Sequence, residues 1–375
     1  MKVGILKESK GENRVVMLPE SVETLIKMKA DVLVEKGAGE KAFAMDGDYE
    51  KTGAKIVTRQ DLFQESDIIL KINPPEKNDL ENMKSGQVIV AALNPFFNPE
   101  LVKELSDRNI TSFSLELLPR TTRAQSMDIL SSQATVAGYK AVLDAADNLP
   151  GFMQMFMSAA GTIKPSKALI LGAGVAGLQA IATAKKLGAV VEAFDVRSAV
   201  AEEVRSLGAK FIEVEGAKDD ATAGGYAVEQ TDEFKNRQQQ TIHDHAVKSN
   251  VIICTAQIPG KKAPLLLHKK TVDQMMPGAV IVDLAASTGG NCELSRDNET
   301  VIHNGVKIIG RSNYPSDMPG DASKMFGKNV LNFISLIINE EGNLNLDFED
   351  DLVKGTCLTH NNKIMNDRIK GVING

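Results

Sequence analysis

The sequence predicts an α/β chain of two doubly wound domains with parallel sheets, joined by long helices and separated by a cleft. Three observations predict it. Short apolar runs alternate with helix-patterned stretches along the chain, the signature of parallel strands covered on both faces. A length of 375 residues favours two domains, each large enough to bury a core. One stretch, Lys167-Ala-Leu-Ile-Leu-Gly-Ala-Gly-Val-Ala-Gly177, places a strand, a glycine turn and a helix start in immediate succession.

The first domain opens with a strand at Val3 to Leu6, then a polar loop with Lys7, Glu8 and Arg14. Pro19-Glu20 starts a helix with apolar face Val22, Leu25, Ile26. Strands follow at Asp31 to Val34, Ala54 to Val57, Asp67 to Ile72, Val88 to Leu93 and Thr111 to Leu117. Asn98-Pro99 reads as N-cap and first helical residue. A helix from about Met127 to Ala146 leads to the second domain and is broken by Pro150-Gly151. Phe152-Met-Gln-Met-Phe-Met157 reads as packing at the domain junction.

In the second domain, Ala168 to Leu171 is a buried strand that runs into Gly172-x-Gly174-x-x-Gly177. A helix from Leu178 to Leu187, a second strand from Ala189 to Phe194 and then Asp195 complete a dinucleotide fingerprint, which makes this domain Rossmann-like. Gly172 permits the tight turn, Gly174 lets the backbone approach a pyrophosphate, and Gly177 lets helix and strand pack closely. The helix N-terminus offers free N–H groups to phosphate. A carboxylate at Asp195 accepts from ribose hydroxyls and repels a 2′-phosphate, which favours NAD over NADP. Arg197 reads first as a solvated surface arginine and second as a cation that softens this repulsion.

Further strands are expected at Phe211 to Val214, Asn250 to Thr255, Ala279 to Leu284 and Val306 to Gly310, with a long polar segment between Gly216 and Gln240. Asp321 caps a helix with apolar face Met325, Val330, Phe333, Ile334 and Ile337, which returns to the first domain; Gly342 to Ile364 reads as a terminal hairpin. The domains are therefore 1–130 plus 325–375, and 131–324.

Composition narrows the functional classes. A net charge of −6 argues against nucleic-acid binding. Met1-Lys2-Val3-Gly4-Ile5-Leu6 turns polar at once, so no signal peptide is read. No apolar run reaches the ~18 residues of a membrane span. Cys254, Cys292 and Cys357 match no metal spacing and read as reduced cytosolic thiols. His243-x-His245 reads as a solvated helix face, and no metal site is expected.

Ligands of open α/β sheets bind beyond the carboxyl ends of the strands. There the richest polar stretch is Pro119 to Gln133, with Arg120, Gln125, Asp128 and Ser131; the plainer alternative makes Asp128 or Ser126 a helix cap and Arg120 a surface cation. Lys71 sits inside the apolar end of the Asp67 to Ile72 strand, and Arg14 follows the first strand.

Arg123-Ala-Gln-Ser-Met-Asp-Ile-Leu-Ser-Ser-Gln133, with Ala137-Gly-Tyr139, resembles the NAD(H)-binding component of proton-translocating nicotinamide nucleotide transhydrogenase. The resemblance continues through Leu171 to Lys185, Ala223-Gly-Gly-Tyr226, Ile258-Pro-Gly260, Ile281-Val-Asp-Leu284 with Gly289-Gly-Asn-Cys292, and Gly355-Thr-Cys357. It implies a Si-specific transhydrogenase that is active only with partners. These would be a second copy of the chain, a membrane-spanning domain that conducts protons, and a domain that holds NADP(H). Localisation would be cytoplasmic, peripheral on the inner membrane through those partners. It also implies that Arg120, Gln125, Asp128 and Ser131 hold the nicotinamide and its ribose, that Asp195 meets the adenosine ribose, and that Tyr226 lies on a loop that closes over nucleotide. The expected cofactor-binding set is Gly172, Gly174, Val175, Ala176, Gly177, Asp195, Val196, Arg197, Tyr226 and Ala256.

Alanine dehydrogenase is a related family of the same architecture. The chain keeps its substrate-type Arg14 and Lys71 but lacks its histidine near Leu93-Asn94, and Ser287 stands where an aspartate is expected. Interconverting an amine and an imine moves a proton as well as a hydride and needs a placed acid/base. Transfer between two nicotinamides does not, so the departures favour transhydrogenase over an alanine-type dehydrogenase. A catalytically silent NAD-binding module is the rival of another class.

Overall fold

The computed structural model describes residues 1–214, 231–258 and 260–374. The chain divides into two compact units, Met1–Gln133 with Pro315–Gly375, and Ala134–Tyr314.

The first unit holds an eight-stranded sheet. In spatial order its strands are Lys363–Ile364, Cys357–His360, Thr111–Ser114, Val88–Ala91, Ile68–Leu70, Lys2–Ile5, Asp31–Glu35 and Lys55–Val57. Pairing is parallel except where Cys357–His360 joins Thr111–Ser114 and Lys363–Ile364. Side chains alternate across a strand, so Ile68 and Leu70 enter one apolar cluster and Ile69 the other. Both faces are thus covered, which is why these strands are short runs of Ile, Val and Leu rather than alternating patterns.

The second unit has a seven-stranded sheet in the order Lys210–Phe211, Val190–Phe194, Lys167–Leu171, Val251–Cys254, Val280–Asp283, Val306–Gly310, Glu299–His303. Only the last pair is antiparallel. Ala168 and Ile170 pack on one side, Leu169 and Leu171 on the other.

Several elements differ from the sequence expectation. The strand at Thr111 ends at Ser114 and tightens into a 3-10 turn over Leu115–Leu117. The strand expected over Phe211 to Val214 is only Lys210–Phe211. The connecting helix is Ile129–Asn148. Asp321 does not cap its helix: the helix runs Pro319–Ile337, started by a proline whose missing N–H costs nothing at that position. Asn98 precedes the Pro99–Asp107 helix, but its side chain donates to the Leu93 carbonyl instead of capping. The terminal hairpin is confined to Cys357–His360 and Lys363–Ile364. Before it, Asp350 accepts from the Leu352 and Val353 N–H groups and starts a helix, Asp351–Thr356. Glu299–His303 is an additional strand. Asn304 and Gly305, both at positive φ, turn it back on Val306–Gly310, the backbone a two-residue hairpin loop requires.

The Phe152 to Met157 run, expected to pack at the domain junction, lies largely on the surface. Phe156–Ser158 and Gly161–Ile163 form an exposed two-stranded hairpin. Phe152, Met155, Phe156 and Met157 are all exposed; Phe152 stacks on Phe156 at 5.2 Å, and only Met153 is buried. Composition marks the run as apolar but does not say which surface an apolar group faces.

Candidate functional site

The Lys167–Leu171 strand delivers the chain to Gly172, whose φ of +101° is a left-handed conformation that a side chain would strain. The Val175–Lys186 helix begins one residue after Gly174, so its first N–H groups, which have no partner within the helix, surround the turn. A Cβ on Gly177 would lie 1.9 Å from the Gly172 carbonyl oxygen, and one on Gly172 would meet Thr255 Oγ1 at 2.6 Å and Ala256 N at 3.0 Å. Gly174 differs: a Cβ there would meet only Arg197 Nη2, at 4.0 Å. The turn is therefore packed tight behind and open in front, the shape a pyrophosphate needs. Gly138 repeats this on the connecting helix, where a Cβ would lie 2.1 Å from the Ala176 carbonyl oxygen. Val175 at the helix start is exposed.

Asp195 stands beside the turn at the end of Val190–Phe194. Its Oδ2 accepts the Ala173 N–H at 2.7 Å and its Oδ1 the Arg197 N–H at 2.9 Å. The Arg197 guanidinium grips both oxygens, Nε to Oδ1 at 2.8 Å and Nη2 to Oδ2 at 2.7 Å. Arg197 is thus no solvated surface arginine; the two side chains are 25% and 7% exposed. Its hydrogen bonds to Asp195 raise its own pKa. Val196 lies between them, half-buried.

Ala256 follows the Val251–Cys254 strand, with both backbone groups bonded to Asn291. Tyr226, with its Ala223-Gly-Gly context, lies outside the described residues, as does Pro259.

In the first unit, Arg120 and Gln125 are exposed, while Asp128 and Ser131 are half-buried. Asp128 caps the Ile129–Asn148 helix: its Oδ1 accepts the Ser131 N–H at 2.9 Å and its Oδ2 the Ser131 hydroxyl at 2.6 Å. The plainer reading of Asp128 is therefore realised, and leaves Gln125 on the exposed surface of the same segment. Two amides of the Pro319–Ile337 helix, Asn329 and Asn332, donate to the Ser126 carbonyl at 2.8 Å each. Arg123 pairs with Asp350 and Asp351. The segment is thus tied at several points.

Arg14 and Lys71 are buried and already satisfied. Arg14 meets Glu12 twice, at 2.9 and 2.6 Å, and Gln133 Oε1 at 2.8 Å. Lys71, 0% exposed, lies 3.5 Å from Asp79. Glu8 accepts the Ile72 N–H at 2.6 Å; burial raises its pKa against the opposing charge of Lys71. Burial also penalises charged Glu12, but hydrogen bonds and charge from Arg14 outweigh it and hold the carboxyl at about 2. The depressed pKa stabilises the fold above the ordinary value of 4.5, and that stability is lost as pH falls toward about 2. Glu12→Gln is expected to cost on the order of 3 kcal/mol at pH 7, given about 1.4 kcal/mol for each tenfold change in proton affinity. The gap from the parent closes between pH 4.5 and 2, as read by urea unfolding across that range.

Asn94 and Ser287 are both exposed; Asn94 lies three residues beyond the Val88–Ala91 strand and Ser287 in the 3-10 turn Ala286–Thr288 that follows Val280–Asp283. The neighbouring carboxyl, Glu116, accepts the Leu93 and Asn94 N–H groups and has its pKa raised by burial. His243 and His245 do not form a solvated face. His243 Nδ1 lies 3.0 Å from Thr271 Oγ1, and His245 Nδ1 2.6 Å from Glu192, whose carboxylate also pairs with Lys167 and Lys210.

Two Rossmann-type α/β units, one bearing a complete glycine turn with its acid, place the protein in the dinucleotide-binding class. Residues 4–137 match the alanine dehydrogenase/PNT N-terminal domain and 141–367 the alanine dehydrogenase/PNT C-terminal domain. The chain is 44% identical over 381 residues to the first part of the NAD(P) transhydrogenase alpha subunit of Rhodospirillum rubrum, covering 99% of each. A solved transhydrogenase from Sinorhizobium meliloti superposes with a TM-score of 0.89 at 42% identity, over 97% of this chain and 100% of that one. Alanine dehydrogenase of Methanococcus maripaludis is 28% identical, over 91% of this chain and 88% of its own. The chain belongs to the alanine dehydrogenase/PNT family, an oxidoreductase family, and within it is similar to the transhydrogenase alpha subunit. No helix among the described residues is long and apolar enough to cross a membrane.

Proposed function

We propose that this chain is the NAD(H)-binding component of a proton-translocating transhydrogenase, presenting NADH to NADP⁺ held by a partner domain while a membrane-spanning partner conducts protons. The observation that carries the reading is the glycine turn, closed behind by Gly172 and Gly177 and open in front at Gly174. By contrast Arg14 and Lys71, the cations a small acid would need, are consumed by Glu12 and Asp79. That contrast favours transhydrogenation over an alanine-type oxidation.

The bound dihydronicotinamide supplies the hydride. The residues of this chain supply position, which is most of what a transfer between two nicotinamides asks of a protein. Gly172, Gly174, Val175, Ala176 and Gly177 receive the pyrophosphate at the helix N-terminus. Asp195 and Val196 take the adenosine ribose, and Ala256 backs the turn. Arg120, Gln125, Asp128 and Ser131 steer the nicotinamide end, and Tyr226 closes over it. NADP(H) stays on the partner domain. The chain works peripherally at the membrane through its partners. The exposed apolar hairpin around Phe156 and Met157 supports a homodimer.

Reconstitution with an NADP(H)-binding component tests the reading. NADH-dependent reduction of an NADP⁺ analogue is expected. Turnover of pyruvate, ammonia and NADH by the chain alone would instead establish the alanine-type reaction, and NADH binding without any transfer would establish a silent module.

The Asp195–Arg197 pair predicts nucleotide choice. The carboxylate disfavours a 2′-phosphate while the guanidinium partly offsets it, so equilibrium titration should show tighter binding of NADH than of NADPH. Arg197→Ala should widen that preference by roughly tenfold, the worth of one charged hydrogen bond. An unchanged ratio would remove Arg197 from the site.

A further inference from the structure

Gly289-Gly-Asn-Cys292 lies outside the glycine fingerprint, yet its asparagine is one of the most thoroughly bonded side chains in the second unit. Asn291 is 0% exposed. Its Oδ1 accepts the Ala256 N–H at 3.0 Å, and its Nδ2 donates to the Ala256 carbonyl at 2.9 Å and to the Pro264 carbonyl at 2.7 Å. A side-chain amide that takes both the N–H and the C=O of one residue acts as a strand neighbour would, and fixes that residue in translation and in rotation.

Asn291 is itself fixed. Asp283, fully buried at the end of Val280–Asp283, accepts the N–H groups of Asn291 at 2.8 Å and Cys292 at 3.0 Å, and the Ser295 hydroxyl at 2.7 Å. Gly289 and Gly290, at φ +104° and +75°, give the left-handed backbone that folds the segment back onto this carboxylate.

The residue so held is the one that touches the turn. Ala256 N would lie 3.0 Å from a Cβ on Gly172, and Thr255, one residue earlier, donates its hydroxyl to the Gly172 carbonyl at 2.9 Å. A continuous path of short polar contacts therefore runs from Asp283 through Asn291 and the 255–256 backbone to the glycine turn.

We propose that Asn291 is a positioning residue, whose carboxamide holds the Thr255–Ala256 backbone against Gly172 and so keeps the turn in its pyrophosphate-receiving shape. The inference rests on the dinucleotide reading and adds a residue distant in sequence from the fingerprint. Losing Asn291 leaves the Ala256 N–H and two carbonyls without their partner, and the loop shifts to find others. The consequence falls on ligands that carry the pyrophosphate and spares those that do not.

The test is a ligand series on the full chain, measured well below the melting temperature. NADH, ADP and adenosine are titrated against the parent, Asn291→Ala and Ser295→Ala. The last loosens Asp283 without touching Ala256, and so reports a merely structural loss. Asn291→Ala is expected to weaken NADH and ADP by roughly tenfold, the scale of one buried unsatisfied polar group. Adenosine should be unaffected, and Ser295→Ala should lower the melting temperature only. If Asn291→Ala does not fold, Asn291→Asp keeps the acceptor for Ala256 and loses both donations, with the same expectation. Parental affinity for ADP in the variant overturns the proposal. So does an equal loss for adenosine, or the same loss in Ser295→Ala. A parent that binds neither NADH nor ADP overturns the dinucleotide reading itself, a result distinguishable from all three.

Discussion

Gly177→Ala should weaken NADH binding by roughly tenfold to a hundredfold, from an overpacking cost of about 1–3 kcal/mol at 1.4 kcal/mol per tenfold. The new methyl group would lie 1.9 Å from the Gly172 carbonyl oxygen, and the neighbour it meets is backbone, which cannot rotate away. Either the helix start retreats or the turn opens, and both withdraw N–H groups from the phosphates. Gly174→Ala is the matched control, because a Cβ there meets only the end of the flexible Arg197 side chain. It should cost less in fold stability, and any affinity loss would come from the methyl group standing where the ligand approaches. Isothermal titration of NADH with parallel melting curves separates the two. Equal affinity of parent and Gly177→Ala would mean that the turn does not hold the nucleotide.

What is legible in the sequence is local. The turn, its helix and Asp195 lie within one continuous stretch, and their spacing alone fixes how they meet. The covered parallel sheets are legible as well, since a strand buried on both faces has to be an apolar run. Contacts that depend on long loops or on a choice of side-chain direction are not legible. Asn291 reaches Ala256 across 35 residues with no periodicity to announce it. The grip of Arg197 on Asp195 needs only two residues of separation, but a guanidinium on a long stem can equally point to water. The Phe152 to Met157 run shows its apolarity and hides its exposure. His243 and His245 show their spacing and hide Thr271 and Glu192, which come from other elements. The hairpin at Asn304-Gly305 does carry a signal, because that dipeptide between two β-rich runs is a hairpin loop by composition alone.

Gln125→Asn and Asp128→Asn should leave NADH affinity almost unchanged and slow hydride transfer to the partner by on the order of a hundredfold, the cost of an ångström-scale misplacement of reactants. Affinity is spared because the adenosine half and the pyrophosphate are assigned to Gly172–Gly177 and Asp195, which lie in the other unit. Asp128 needs the finer design, because it demonstrably caps a helix through the Ser131 N–H and hydroxyl. Asparagine is as good an N-cap as aspartate, so Asp128→Asn removes the charge and largely keeps the cap, whereas Asp128→Ala should lose about 1 kcal/mol of stability by removing both. A capping residue with no further role would show a lower melting temperature in Asp128→Ala, a near-parental one in Asp128→Asn, and parental single-turnover transfer at saturating NADH in both. A steering residue would show slow transfer in both, including the asparagine variant whose fold is intact. The Gln125 side chain is exposed, and the helix-end contact of this residue is made by its backbone carbonyl, which any substitution keeps, so its substitution should leave melting unchanged. Any loss of transfer there reads directly on the nicotinamide, and parental transfer in both Gln125→Asn and Asp128→Asn would take this segment out of the reaction.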